Sequence, residues 1–360
     1  MRVGILSYPM LFQRDGGLQV QIRETIAALN APSPAGDSIG EPIQAELADP
    51  NRERLDTYDV VHVFSAINGN HRIVETAVDM GVPVVLSPLL SPGWDRQSGF
   101  RARIADRLAG RLTAWNMQTS YAQTKRALQL AQLVVALGPE ERQAIESGFL
   151  VDRQKIRVLP NGISPHFFSA DETLFRQRYN MARPFVLMVG AISPYKNQLG
   201  LVNSLAASGL PIVMIGHAQR QHQTYLQQIL ASPQVQWLGQ LDHDDPLLAS
   251  AYRAAAVLAL PSQGEVFPLV VLEALAAGTP VVMTDESALH LPDSAFALRQ
   301  LRWNDGGAQS KAIRDFVEAP PPRAQVQALV ARFTWQRVAA ETARYYRELL
   351  REHKGVRCAV

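Results

Sequence analysis

Short runs of Val, Ile and Leu recur along this chain, each followed by a longer stretch patterned as a helix, and the series occurs twice. The first series has apolar runs at Val3–Leu6, Val60–Phe64, Val82–Leu86, Leu133–Leu137 and Ile156–Leu159. Helix patterns lie between them at Leu18–Leu29, His71–Met80, Phe100–Gln129 (one helix or a broken one) and Pro139–Ser147. The second series has runs at Phe185–Val189, Pro211–Ile215, Val235–Leu238, Val257–Leu260 and Pro280–Thr284, with helix patterns at Asn197–Ala207, Gln223–Leu230, Leu247–Ala255 and Leu269–Ala277. These runs lack polar alternation, as do strands covered on both faces. Their regular exchange with helices predicts parallel sheets flanked by helices. The fold class is therefore α/β, with two Rossmann-like, doubly wound domains in tandem. A length of 360 residues suits two domains better than one.

Between the series stand the turn signals Pro160-Asn161-Gly162 and Ser164-Pro165. The polar, charged segment Ser169–Arg183 reads as a linker. The expected domains are thus 1–165 and 182–335. Pro320-Pro321-Pro322 precedes two tail helices, Arg323–Arg332 and Trp335–Arg351. Open α/β sheets bind ligands beyond the carboxyl ends of their strands, and domain interfaces favour pockets. The expected site is a cleft that the two domains face.

Composition excludes several classes. Residues are 47% hydrophobic and 19% charged, the balance of a chain with real cores. A net charge of +2 gives no overall drive toward nucleic acid, and no nucleic-acid partner is expected. Cys358 is the single cysteine, so neither an intramolecular disulfide nor a cysteine metal cluster can form, which fits a reducing compartment. The apolar run at the N-terminus is too short for a signal-peptide core. No stretch approaches the ~18 apolar residues of a spanning helix. The expected location is cytoplasmic.

The most informative segment is Pro261–Val282, PSQGEVFPLVVLEALAAGTPVV. Glu265 falls in a loop after a strand. Pro268 suits the first turn of a helix, Glu273 lies inside that helix, and Gly278 can end it. Glu273 is then about 7.5 Å into the helix. Two carboxylates so spaced can hold hydroxyls on two parts of one elongated ligand. Solvated glutamates are the ordinary reading of such a pair.

This segment resembles the E-x7-E region of retaining, GT-B-fold glycosyltransferases of family 4 (glycosyl transferases group 1). Their block reads approximately Pro-Ser-x-x-Glu-Gly-Phe, an apolar helix with the second Glu, then Ala-x-Gly-x-Pro-Val-Val. Here Val266 replaces the usual Gly. Asp59–Val63, Leu159–Ile163, Val189–Asn197, Trp237-Leu238-Gly239 and the tail FTWQRVAAETARYYRELL are similar to further blocks of that family, in order. The resemblance implies transfer of a hexosyl-type sugar from a nucleotide diphosphate sugar to a glycan or lipid-linked acceptor, with retention and without a metal. It implies that Glu273 binds the ribose hydroxyls, that Glu265 faces the donor sugar, and that Lys196 contacts the diphosphate. Val266, Phe267, Pro268 and Leu269 belong to the same donor-binding block. Glu265 and Lys196 are the catalytic candidates. The resemblance also implies that the tail helix, 336–352, crosses back to complete the first domain.

Other residues are weighed individually. A lysine can stabilise charge developing on a leaving phosphate, although a surface lysine is the plain alternative for Lys196. Gly16 and Gly17 precede the first helix, where backbone N–H groups can approach a phosphate. A Gly-Gly pair is more often only a turn. Asp242-His243-Asp244-Asp245 looks like a D-x-D metal motif, but Asp245 before Pro246 reads as a helix cap, and no metal ligands are assigned. His62, inside a strand, reads as packed. His71 opens a helix and is a candidate to reach the cleft. Two departures from the family stand out: Ala191 sits where many members have an arginine, and Ser87-Pro88-Leu89-Leu90 lacks their histidine. They motivate a second reading, a sugar-nucleotide-binding partner with weak or lost catalysis.

Residues 99–132 hold six basic residues (Arg101, Arg103, Arg107, Arg111, Lys125, Arg126) and one acid, Asp106. Phe100, Ile104, Leu108, Leu112 and Trp115 recur at helical spacing. The plain expectation is an amphipathic helix with this stripe in the core and its arginines in water. The alternatives are a surface for anionic lipid, making the protein peripheral on the inner membrane face, and direct binding of an anionic acceptor.

Overall fold

The computed structural model of the chain describes residues 1–8, 11, 16–32, 42–91, 93–112 and 119–358. Contacts divide the chain into two units. One is formed by Met1–Arg14, Leu18–Gly162 and Trp335–Val360, the other by Asp15–Gly17 and Ile163–Thr334.

The first unit holds a six-stranded sheet in the order β2-β1-β3-β4-β5-β6. Its strands are β1 (Arg2–Leu6), β2 (Gln44–Leu47), β3 (Val60–Phe64), β4 (Val84–Ser87), β5 (Leu133–Ala136) and β6 (Ile156–Val158). Every pairing is parallel. The helices are α1 (Gly17–Asn30), α2 (His71–Asp79), α3 (Arg96–Leu112), α4 (Ser120–Leu130) and α5 (Pro139–Phe149). The predicted run Phe100–Gln129 is thus two helices. β2 was not anticipated, because its exposed edge position gives Gln44–Leu47 no continuous apolar run. The tail helix, Trp335–Cys358, also belongs to this unit. The buried Tyr346 hydroxyl on it lies 2.7 Å from His62 Nδ1, and Ser87 Oγ lies 2.9 Å from Nε2. Burial holds His62 down at about 3, so it packs as a neutral ring inside β3.

The second unit repeats the architecture with the order β12-β11-β10-β7-β8-β9. Its strands are β7 (Val186–Val189), β8 (Ile212–Ile215), β9 (Val235–Trp237), β10 (Val257–Leu260), β11 (Val281–Thr284) and β12 (Leu298–Leu301), again all parallel. β12 escaped prediction because Arg299 and Gln300 break its apolar run at the sheet edge. The segment expected as a linker contains a helix, α6 (Thr173–Tyr179), and belongs to this unit. Its polar residues face outward, while Phe175 is fully buried and its backbone N–H donates to Ser250 Oγ. A single apolar anchor in seven residues left no periodicity to read.

The remaining helices are α7 (Gln198–Leu205), α8 (Gln223–Leu230), α9 (Pro246–Ala254), α10 (Leu269–Ala276), α11 (Gly306–Glu318) and α12 (Arg323–Ala328). In this sheet, β7 connects outward to β8 and β9, while β10 returns to the other side of β7. The direction of winding therefore reverses between β7 and β10, the crevice where such sheets take ligands.

The amphipathic expectation for α3 is overturned. Phe100, Ile104 and Leu108 are exposed, and the inward face is Gly99, Ala102, Arg103 and Asp106. The reason is a close backbone approach. A Cβ on Gly99 would lie 2.2 Å from the Gly148 carbonyl oxygen, so α3 seats its glycine against α5. Arg103 then donates to the Gly148 carbonyl, and Asp106 accepts from Thr119 Oγ1 at 2.8 Å. Trp115 and the side chains of Arg111 and Leu112 lie outside the described residues.

Candidate functional site

The loops leaving β7 and β10 carry the sequence's catalytic candidates, and the winding reversal brings them together. After β7 the chain runs through Gly190 and a 3-10 turn, Pro194–Lys196, to Asn197, the N-cap of α7, which lies in the left-handed region (φ 59°). After β10 it passes Pro261 and Ser262 to Glu265. The loops are joined by backbone and side chain: Gln263 N–H donates to the Tyr195 carbonyl, and Tyr195 O–H to the Gly264 carbonyl, both at 2.9 Å. Lys196 Nζ and Glu265 Oε1 form an ion pair at 2.5 Å. Both side chains are largely covered, with 24% and 12% exposure. Partly covered charge pairs are screened less than surface pairs.

Glu265 is fixed from a third direction. Its N–H donates to the Glu286 carbonyl at 2.8 Å, and Ala288 N–H donates to the Val266 carbonyl at 2.9 Å. These short bridges clamp the loop to the segment after β11. Val266, which stands where glycine is usual in the resembling family, thereby serves through its backbone. Pro268, expected at the first turn of a helix, is the N-cap of α10 in extended conformation, directly before its first residue Leu269. Phe267 and Leu269 are buried beside it. Gly278, with φ +79°, ends the α10 region as expected.

Glu273 is a carboxylate inside an otherwise apolar helix, and it is 5% exposed. Burial of that kind demands partners. Tyr252 on α9 donates its hydroxyl to Oε2 at 2.7 Å, and His243 Nε2 lies 3.2 Å from Oε1. Burial, then the Glu273 charge, pushes the Tyr252 hydroxyl well above its usual value, so it stays a donor. His243 stacks edge-on to Phe167 at 5.3 Å and His166 at 5.8 Å. Burial, then His243, lowers His166. Asp245 caps α9 by accepting from Leu247 N–H at 2.8 Å, as its sequence context implied. The partners of Glu273 were missed. Tyr252 offered only helical periodicity, and His243 was weighed only within an acidic run. The spacing of Tyr252 from Glu273 in sequence carries no signal, because a strand and a turn intervene.

Lys196 and Glu265 thus meet directly, while Glu273, eight residues beyond Glu265 in α10, is held by Tyr252 and His243. Gly16 and Gly17 are exposed at the start of α1, with open space beside Gly16. Ala191 is exposed and accepts from Gln198 Nε2 through its carbonyl.

The first unit has no comparable charged pair on its strand ends among the described residues. His71 is buried at the start of α2. The loop after β4 is held by a residue that sequence reading passed over. Glu141, fully buried on α5, accepts from Leu90 N–H and Leu137 N–H, both at 2.7 Å. Leu89, directly before Leu90, is held at φ 56°. Burial pushes the Glu141 carboxyl up to about 7, against the pull of its backbone donors. An acid in the first turn of a helix was its only sequence signal.

Residues 170–290 match the family described as "Glycosyl transferases group 1". Among curated proteins, the D-inositol 3-phosphate glycosyltransferase of Streptomyces scabiei is 34% identical over 120 residues, which cover 31% of this chain and 26% of that protein. That of Nocardia farcinica is 28% identical over 260 residues, covering 66% of this chain and 57% of that protein. The matched stretches therefore span a quarter to just over half of these relatives. Among solved structures, sucrose-phosphate synthase from Thermosynechococcus elongatus aligns with a TM-score of 0.72 at 20% identity, over 98% of this chain and 100% of that one. Anabaena Alr3699/HepE in complex with UDP-glucose aligns with a TM-score of 0.63 at 19% identity, over 100% of both chains. The chain shares the GT-B fold of these proteins, two six-stranded parallel sheets with their helices.

Proposed function

We propose that this chain transfers a sugar from a nucleotide diphosphate sugar to an acceptor hydroxyl, with retention of anomeric configuration. The observation that carries the reading is the Lys196–Glu265 ion pair at the winding reversal of the second sheet, with Glu273 buried eight residues beyond Glu265. The match to glycosyl transferases of group 1 spans all three residues. A fold neighbour was solved with UDP-glucose, which supports the same class of donor.

In this reading Glu273 accepts hydrogen bonds from the ribose hydroxyls and Glu265 orients the donor sugar. Lys196 leaves Glu265 in part to meet charge gathering on the departing diphosphate. The Gly16-Gly17 backbone, with Gly17 at the helix N-terminus, offers N–H groups to the same anion. The acceptor oxygen bonds to the anomeric carbon on the face from which the diphosphate departs. The acceptor proton passes to the leaving phosphate oxygen. The step needs no metal in this reading, since cationic and N–H groups meet the phosphate charge. The acceptor is a glycan or a lipid-linked sugar, in polysaccharide or glycolipid assembly, and the protein is cytoplasmic and peripheral on the membrane. Among the described residues no helix is long and apolar enough to cross a membrane, so attachment would be by a surface.

A second reading, a sugar-nucleotide-binding partner without turnover, is favoured by Ala191 and by the Ser87–Leu90 loop, which place no cation or imidazole where the resembling family has them. A thermal-shift screen of UDP-, GDP- and ADP-sugars followed by a slow-hydrolysis assay separates the two. Stabilisation with turnover in EDTA supports transfer. Stabilisation without turnover in any acceptor mixture supports the partner. The absence of any nucleotide-sugar effect sinks both.

A further inference from the structure

The outward face of α3 is an unpartnered amphipathic surface. Phe100, Ile104 and Leu108 are 58%, 43% and 54% exposed, at four-residue spacing along one line of the helix. The line runs for about 12 Å. Leu150, 58% exposed in the left-handed conformation that ends α5, extends it sideways. Together with Arg96, Arg101 and Arg103, Phe100 and Leu150 line an open groove of about 630 Å³. Water-facing rows of large apolar groups mark interaction sites.

The charge on this face is mainly basic, with the nearby exposed acids Asp95 and Asp152 engaged as caps to Ser98 and Gln154. Arg96, Arg101 and Arg107 are exposed around the apolar row. The one acid of α3, Asp106, is turned away to Thr119. A second copy would set arginines against arginines across a twofold contact. An acyl boundary carrying anionic headgroups instead accepts both features at once, the apolar tips below and the guanidinium groups at headgroup level.

We propose that this face of α3, with Leu150 beside it, docks on the surface of an anionic lipid bilayer. It deepens the membrane-facing part of the function proposed above and does not depend on the donor chemistry. The inward face of α3 is pinned to α5 and Tyr121, so the ridge is presented as a preformed element.

The test is co-sedimentation of the full chain with vesicles of equal phosphatidylglycerol and phosphatidylcholine, and with phosphatidylcholine alone. Two variants accompany it: Phe100→Ser/Ile104→Ser/Leu108→Ser and Arg101→Glu/Arg107→Glu. All five side chains are exposed, so melting temperatures should stay near wild type. Wild type should bind the anionic vesicles, release in high salt and bind phosphatidylcholine weakly, and each variant should lose at least about tenfold in affinity. Four results would overturn the proposal: no binding of wild type to anionic vesicles, equal binding to phosphatidylcholine, variants that bind as wild type does, or a wild-type dimer that the serine variant dissolves. Thermal shifts with nucleotide sugars, run on the same variants, keep the two questions apart. Retained donor binding with lost vesicle binding touches only this surface, and the converse touches only the transfer reading.

Discussion

The two sheets of this protein share strand number, parallel pairing and a winding reversal, yet they use their strand ends differently. In the second unit the loops after β7 and β10 present a lysine–glutamate pair, and α10, which follows, carries the buried carboxylate of Glu273. In the first unit the charged pair described past a strand end is the exposed Arg52–Asp49 after β2, and the one buried carboxylate near the strand ends, Glu141, is spent on backbone N–H groups of two loops. Fold alone therefore does not make a site. A carboxylate aimed at solvent-accessible space can hold a ligand, whereas one saturated by backbone donors can only hold the protein. The difference is testable because the same substitution should have different consequences in the two places.

The largest effect is expected at Glu265. Glu265→Ala removes the group proposed to orient the sugar and leaves Lys196 unpaired. Turnover should fall by about 10²–10³-fold, with nucleotide binding retained because Glu273 is untouched. Steady-state rates and a nucleotide titration on the same preparation check this. Loss of folding, or a loss of nucleotide affinity matching the loss of rate, would make Glu265 a scaffold residue like Glu141.

Next comes Glu141, where the readout is stability. Its carboxyl is raised by burial from 4.5 to about 7 in the folded chain. The folded state therefore holds a proton that the unfolded state gives up between those values. Stability contributed by this site is full below about pH 4.5 and lost as pH rises toward 7, by roughly 3 kcal/mol for a shift of that size. His62 works oppositely. Its folded value, lowered to about 3, makes stability fall as pH drops below the unfolded value of 6.5. The two slopes oppose each other between pH 4.5 and 6.5. Glu141→Gln should remove the opposing slope, so melting temperatures of the variant rise with pH more steeply than those of wild type. Parallel slopes for variant and wild type would show that Glu141 is charged throughout.

These two carboxylates also show what could be read in advance. The placement of Glu265 in a loop and Glu273 inside a helix was legible from the turns and prolines around them, whereas their roles and that of Lys196 were implied only by a resemblance and stand as proposals. The strands at the sheet centres were legible because burial on both faces writes continuous apolar runs. β2, β12 and α6 were not, since an edge or a single anchor such as Phe175 leaves no period to detect. The orientation of α3 was misread because amphipathicity ranks Phe100 above Gly99, whereas the packing was decided by the approach that only a glycine permits. Tyr252 and Glu141 were invisible for a third reason: their partners are distant in sequence or are backbone groups.

Glu273→Ala should be milder than Glu265→Ala and of a different kind. Hydrogen bonds to a charged group contribute about 1.5–3 kcal/mol, so the nucleotide dissociation constant should rise roughly ten- to a hundredfold. The maximal rate at saturating donor should change little. The variant also leaves the buried Tyr252 hydroxyl without its acceptor, so some loss of melting temperature is expected. Calorimetric titration with UDP or GDP, beside the rate at saturation, distinguishes an anchor from a catalytic group. A collapse in the rate with unchanged affinity would reverse the roles assigned to the two glutamates.

The smallest effect should come from adding charge where the second sheet lacks it. Ala191 is exposed one residue past Gly190, in the loop that carries Lys196, and only its carbonyl is engaged. Ala191→Arg therefore has room on the surface and breaks no side-chain contact. An additional cation near a bound diphosphate acts in partly solvated surroundings, where such pairs contribute about 0.2–1 kcal/mol. Donor affinity should improve by no more than about fivefold. Its salt dependence should steepen, because the gain is Coulombic and screened. A gain of that size says that Lys196 already meets most of the phosphate charge and that the site is complete without an arginine. A rise in turnover far beyond it would mean that the wild-type loop is an impaired one, and would move the comparison toward a binding partner whose catalysis has lapsed.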